Sequence, residues 1–181
     1  MAECRLRDGI RVGDYTVPYI IAEVNSSHGG DKNVAKQMID AAVEAGCSCV
    51  KFQSWTADTL YSNSYYKENP IAKRFVKKFS MGENELRELA EYCRKKGIGF
   101  SSTPYSEPEV DFLVEVGASF IKIASMELDN LEFIKYIAEK KVPLILSTGM
   151  GEFEEIKRAV QIIEETGNQN LILLHCVSIY P

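Results

Sequence analysis

Two lysines stand where lysine is costly to hold. The run CVKFQS (49–54) sets Lys51 between Val50 and Phe52, and FIKIAS (120–125) sets Lys122 between Ile121 and Ile123. Both runs are short, apolar and rich in β-branched or aromatic residues, the pattern of a buried β-strand. A buried ammonium without an anion costs several kcal/mol or gives up its proton, so each lysine calls for a negative partner. Three chemistries meet that need, and the residues alone leave them open. The lysines can pair internally with Glu23 and Glu127, hold an anionic ligand, or work with a depressed pKa as Schiff-base lysines of the aldolase kind.

Other polar groups gather at run ends. AEVNSSHGGD (22–31) brings Glu23, Asn25, Ser26 and His28 to the carboxyl end of one run, which also reads as a capped loop with a satisfied histidine. STGMGEFEE (147–155) supplies Ser147 and Thr148, passes two glycines and opens a helix. Hydroxyls, free backbone N–H groups and a helix dipole suit phosphate, although glycines also occur in such turns for geometry alone. His175, in LILLHC, reads as a hydrogen-bonded core residue rather than a metal ligand. With two histidines in the chain and no H-x-x-H or clustered carboxylate pattern, no complete metal site is visible. The five cysteines (4, 47, 49, 93 and 176) have no zinc-type or redox spacing and read as reduced thiols packed in a core.

Regular alternation positions these groups. YIIAEV, SCVKFQ, IGFSST, SFIKIAS, PLILST and LILLHC are strand-like, and VAKQMIDAAVEAG, ELRELAEYCRKKG, VDFLVEVG, LEFIKYIAEK and EIKRAVQIIEETG between them carry apolar residues at helical spacing. Capping boxes are expected at Ser80 with Glu83 and at Ser106 with Glu109, and helix ends at Gly46, Gly97, Gly117 and Gly167. Strands alternating with helices imply right-handed β-α-β units. Alternation along the strands turns Val50, Phe52, Ile121 and Ile123 toward helices and Glu23, Lys51, Gln53, Lys122 and Ser147 toward a common axis. A doubly wound sheet has no such axis, so the expected fold is an α/β TIM (β/α)8 barrel. A barrel of this kind takes about 250 residues, and the 181 present stop after the sixth strand. The expectation is one incomplete barrel domain over 1–181, with the last β/α units absent. A short hairpin is expected over 10–17, turned at Gly13 and Asp14 and plugging the barrel floor. Residues 55–79 read as an irregular insertion whose tyrosines 61, 65 and 66 and basic Lys73, Arg74, Lys77 and Lys78 make either a substrate lid or a solvated helix.

Composition narrows the function classes. A net charge of −5, from 21 basic and 26 acidic residues, leaves no basic stripe for nucleic acid. No apolar run approaches a membrane span, and the opening MAECRLRDGIRVGD lacks a secretory apolar segment, so no membrane role and a cytoplasmic location are expected.

The ordered series IIAEVNSSHGGD, CVKFQS, FSSTPYS, FIKIASME, PLILSTGM and LLHCVSIYP resembles the N-acetylneuraminate (sialic acid) synthase family, which includes the pseudaminate and legionaminate synthases. The resemblance runs from about residue 10 to the end and touches all six strand ends. It implies a TIM barrel that condenses phosphoenolpyruvate with an N-acylated hexosamine in its aldehyde form and releases phosphate. It also implies a homodimer in the full-length protein, with an antifreeze-like C-terminal domain. By resemblance, Lys51, Lys122, Ser125 and Ser147 grip the phosphate and carboxylate of phosphoenolpyruvate. Glu23 and Glu127 match the acidic pair that handles the sugar and the attacking water, and Gln53, Thr103 and Tyr180 line the substrate. A divalent metal, manganese or magnesium, would polarise the aldehyde, with its histidine ligands beyond residue 181. No Schiff base is needed. Two departures stand out: Met126 where a small glycine is usual, and Gly29 where asparagine is common. Two other readings are carried alongside: a non-catalytic fragment, and another phosphoenolpyruvate-condensing barrel that makes shorter 3-deoxy acids.

Overall fold

The computed structural model describes residues 3–179. The chain divides into two compact units, one of Tyr19–Ala118 and one of Met1–Pro18 with Ser119–Pro181. The N-terminal hairpin differs from expectation. Strands β1 (Glu3–Arg5) and β2 (Arg11–Gly13) pair antiparallel with Cys4 opposite Val12. The turn therefore falls before Arg11, where Asp8 Oδ1 accepts the Ile10 N–H at 3.0 Å. A turn does form at Gly13, whose N–H donates to Thr16 Oγ1 at 3.2 Å, but residues 14–20 continue without a strand.

In the first unit, β3 (Ile21–Asn25), β4 (Cys49–Ser54) and β5 (Gly99–Pro104) run parallel. The register sets Glu23 beside Lys51 beside Ser101, and Gln53 beside Thr103. Helix α1 (Lys32–Glu44) follows β3 and starts on Asp31, whose carboxylate accepts the Asn33 N–H at 2.7 Å. Residues 55–79 are more regular than expected. They form α2 (Asn63–Glu68) on a Ser62 cap and α3 (Pro70–Phe79), with proline in the first turn where its missing N–H does no harm. Helices α4 (Glu83–Lys96) and α5 (Glu107–Glu115) flank β5 in sequence.

The capping box expected at Ser80 and Glu83 is displaced. Ser80 closes α3 through its N–H to the Val76 carbonyl at 2.9 Å, and Glu85 Oε2 takes the Gly82 N–H at 2.9 Å to open α4. Ser80 is extended and ends α3, so the cap position of α4 falls two residues later, on the extended Gly82. At α5, Ser106 is the cap residue, but its side chain accepts no backbone N–H of the helix and bonds the Glu109 carboxylate instead; Glu109 also takes the Ser106 N–H, so only the Glu109 half of that box is in place. The four expected glycines do stand at helix ends, each left-handed.

In the second unit, β6 (Ile121–Ile123), β7 (Leu144–Ser147) and β8 (Leu171–Leu174) run parallel, with Lys122 beside Ile145 and Ser147 beside Leu174. A 3-10 turn, Ser125–Glu127, follows β6. Helix α6 (Leu131–Glu139) comes before β7 and α7 (Phe153–Glu165) before β8. The hairpin joins this unit through Arg7, whose N–H bonds the Ser119 carbonyl at 3.0 Å.

The architecture is α/β with six parallel strands, three in each unit, as the alternating runs imply. Strands buried on both faces explain the near-continuous apolar runs. Val50, Phe52, Leu144 and Leu146 are completely buried, as are Ile39 and Leu89 of the first unit's helices and Ile134, Ile137 and Ile163 of the second's. Each such side chain contributes about 1.5–3 kcal/mol by leaving water. No helix among the described residues is long and apolar enough to cross a membrane.

Candidate active site

In the first unit the strand register delivers Lys51 between two acceptors. Its Nζ lies 2.8 Å from Glu23 Oε2 and donates to Thr103 Oγ1 at 3.1 Å. Lys51 is 6% exposed, while the Glu23 side chain is 51% exposed. The pair is dry at its ammonium and wet at its carboxylate. The burial cost of Lys51 is therefore met by the chain's own acid, the first of the three resolutions left open by the residues alone. Thr103 is buried, and Gln53 lies half-buried next to it in the register. On the alternate face of the same strands, Ser54 and Ser102 share a hydrogen bond of 2.6 Å.

The loop after β3 behaves as a capped turn. His28 is buried, and its Nδ1 accepts the Gly30 N–H at 3.0 Å. Burial pulls its pKa below the ordinary histidine value, against smaller opposing effects of the Asn25 backbone and Glu85, so the ring is neutral. This is the satisfied histidine. Gly29 has φ +63, a left-handed conformation open to glycine and tolerated by asparagine, which explains why one can stand for the other here. Asn25 also has positive φ, and its buried Oδ1 lacks a partner among the described residues.

In the second unit Lys122 is half-buried and donates to Ser147 Oγ at 2.5 Å and to the Ile123 carbonyl at 2.7 Å. Ser125 Oγ accepts the Gly149 N–H at 3.0 Å. A Cβ at position 149 would run into Ser178 Oγ and come within 2.9 Å of Ser125 Oγ, so glycine is what lets two serines close on this backbone. Cys176 Sγ lies 3.4 Å from Ser147 Oγ. Glu127 Oε2 accepts an Asn130 amide hydrogen at 2.9 Å, and Met126 beside it is 55% exposed.

Two expectations change in this unit. His175 is exposed, not a core residue, because side chains lose cover along β8, where Leu173 and Leu174 are exposed too. The helix opened by STGMGEFEE is already served by carboxylates: Glu155 Oε2 takes the Glu152 N–H at 2.8 Å, and Glu154 stands in the same first turn. An anion there would meet acids; the Ser147 hydroxyl is the part of this motif that joins a lysine.

The structure thus brings Glu23, Lys51 and Thr103 into contact in one unit, and Lys122 and Ser147 in the other, with Ser125 on the Gly149 loop. Tyr180 lies outside the described residues. Among the described residues, no group of three or more His, Cys, Asp or Glu is arranged to hold a metal ion. These side chains do not by themselves fit a divalent cation. Sequence reasoning missed Cys176 and Ser178, whose signal was only their place at the end of the last apolar run. It also missed Glu109 as more than a cap: its carboxylate accepts the Tyr105 N–H at 2.7 Å and the Thr59 hydroxyl at 2.9 Å. Burial pushes its pKa up despite those bonds, and it borders a cavity of about 220 Å³ walled by Trp55, Met81, Leu86 and Phe112.

The NeuB family matches residues 38–181. The chain belongs to that family. Its sequence is 35% identical to the N,N'-diacetyllegionaminic acid synthase of Legionella pneumophila, covering 100% of this chain and 55% of that protein. Against the enzyme of the same name from Campylobacter jejuni the identity is 37%, covering 90% and 52%. The crystal structure of an N-acetylneuraminic acid synthetase from Leptospira borgpetersenii, in complex with citrate, superposes with a TM-score of 0.90 at 36% identity, covering 99% of this chain and 61% of that one. The NeuB-family chain described here spans about half the length of the curated relatives it matches.

Proposed function

We propose that this NeuB-family chain is the N-terminal portion of a (β/α)8-barrel nonulosonic acid synthase. The enzyme condenses phosphoenolpyruvate with an N-acylated hexosamine in its open aldehyde form. The enol carbon of phosphoenolpyruvate bonds to the aldehyde carbon, water adds to the cationic carbon left behind, and phosphate departs. Lys51 and Lys122 hold the carboxylate and phosphate, helped by the hydroxyls of Ser125 and Ser147. Gln53, Thr103 and Tyr180 line the substrate. Glu23 and Glu127 serve the sugar and the attacking water.

One observation carries this reading: the Lys51–Glu23 pair is buried on the lysine side and solvated on the acid side. A carboxylate in water gives up a lysine to an arriving anion at modest cost, whereas the lysine itself has nowhere else to go. An anion that takes Lys51 also frees Glu23 to meet the sugar. The same pair favours a second reading, in which Lys51 is a structural cation that binds no guest. Titration calorimetry with phosphoenolpyruvate separates the two. Binding that disappears in Lys51→Ala and Lys122→Ala supports the synthase; no binding to the wild-type chain overturns it.

Activity belongs to the whole protein, of which the curated relatives are about twice as long. There, phosphate release should require both phosphoenolpyruvate and an N-acylated hexosamine. A panel of N-acetylmannosamine and its 6-deoxy diacetamido analogues identifies the sugar. A divalent metal, a homodimeric assembly and a cytoplasmic location belong to the same proposal. Loss of turnover in excess chelator, sedimentation of the full-length protein and cell fractionation test them in turn.

A further inference from the structure

Ser147 Oγ is a junction. Lys122 Nζ reaches it at 2.5 Å and Cys176 Sγ at 3.4 Å. An ammonium only donates, so it occupies a lone pair of the serine, whose own hydrogen must turn elsewhere; a thiol can weakly accept it or weakly donate to the second lone pair. Either way the sulfur restrains the torsion of the hydroxyl that Lys122 is bonded to. Ser147 is 7% exposed, so few waters compete for that restraint.

We propose that Cys176 is a positioning residue of the anion site: acting through Ser147, it fixes where the Lys122 ammonium stands. The inference rests on the proposed phosphoenolpyruvate site and adds to it a residue outside the set predicted to touch substrate. Cys176 also differs from most thiols of this chain. Cys4, Cys49 and Cys93 are buried, and burial pushes the Cys93 thiol up to about 12 and raises that of Cys4. Cys47 and Cys176 are only partly covered. Cys47, on the turn between α1 and β4, makes an internal control.

The experiment is iodoacetamide labelling of the 181-residue chain, followed by peptide mapping, with and without phosphoenolpyruvate. At about ten times the dissociation constant, labelling of Cys176 should slow about ten-fold while Cys47 is unchanged, since the site is then about nine-tenths filled. Cys176→Ala should weaken phosphoenolpyruvate binding by about three- to ten-fold, the effect of one modest hydrogen bond. Cys176→Ser, which keeps a small donor and acceptor, should bind within about two-fold of wild type. Thermal midpoints should be alike in both variants. Equal labelling at saturation together with wild-type affinity in Cys176→Ala overturns the inference. So does equal weakening in both variants with lowered midpoints, which marks a packing role. If the wild-type chain binds no phosphoenolpyruvate, the proposed function falls and takes this inference with it; if it binds and only the Cys176 results fail, the proposed function stands.

Discussion

Lys51 and Lys122 occupy matching places in two short β-strands, and the chain keeps them differently. Lys51 is nearly sealed from water and faces a carboxylate at 2.8 Å. Lys122 is half-buried and hydrogen-bonded to a hydroxyl and a carbonyl, with a thiol one step further on. The contrast is between a cation set against a carboxylate and a cation whose contacts with a hydroxyl and a carbonyl are dipolar. An ion pair is strong and costly to break from one side. A hydroxyl junction is weaker but directional, and each member sets the geometry of the next. The first should dominate stability and the second should tune how a guest is received.

The largest effect that can break this comparison is on binding. Removing either ammonium should cost about 10- to 100-fold in phosphoenolpyruvate affinity, the range of a hydrogen bond to a charged group, as read by calorimetry on Lys51→Ala and Lys122→Ala. If only one substitution matters, the two lysines do not share a ligand class. Next comes stability. Glu23→Ala leaves the Lys51 ammonium buried with Thr103 as its side-chain partner among the described residues, and should cost about 2 kcal/mol. That is less than the 3–5 kcal/mol of a wholly buried pair because Glu23 is half solvated. The thermal midpoint should drop by roughly 4–8 °C for a chain of this size. Ser147→Ala, which removes a neutral junction, should cost only about 1 kcal/mol. Equal costs at the two positions would erase the distinction between charge and dipole. Gly149→Ala sharpens the second half of the contrast: its new methyl meets Ser178 and Ser125, and overpacking of that order costs about 1–3 kcal/mol.

What was legible in the sequence follows from periodicity and from charge in apolar places. Alternation of strand-like and helix-like runs gave the parallel α/β architecture, and lone lysines between apolar residues marked Lys51 and Lys122. The failures share a physical cause. The hairpin register depends on which of two turns, near Asp8 or at Gly13, is followed by a strand that pairs. Both carry turn residues, and pairing with Glu3–Arg5 decided it. The cap of α4 moved from Ser80 to Gly82 because α3 claimed Ser80, a competition between neighbouring helices that local motifs do not express. His175 was judged by the apolar run before it, yet exposure depends on what covers β8, which no residue in that run reports. Cys176 and Ser178 reach the Lys122 neighbourhood only through tertiary approach of the chain after β8 to the β7 loop.

The smallest expected effect concerns a third base, the buried His28, whose charged form burial disfavours more than Glu85 favours it. Its ring accepts the Gly30 N–H and its pKa is lowered, chiefly by burial. A histidine whose native pKa lies below its unfolded value of about 6.5 binds fewer protons folded than unfolded. Stability then rises with pH, is complete above about pH 6.5, and is lost as pH falls toward the native pKa. Glu109 acts in the opposite sense. Burial raises its native pKa, so its contribution to stability falls as pH rises from about 4.5 through the raised value. Comparing chemical denaturation of wild type and His28→Asn across pH isolates the histidine, since Glu109 and the exposed acids cancel in the difference. Asparagine can accept the Gly30 N–H but cannot titrate. The advantage of wild type should therefore shrink below about pH 6.5, and a difference that stays flat from neutral to acid pH would show that this ring is already protonated or solvated. In that case, a buried base kept neutral by desolvation would have to be dropped from the same picture that has Lys51 paired with Glu23.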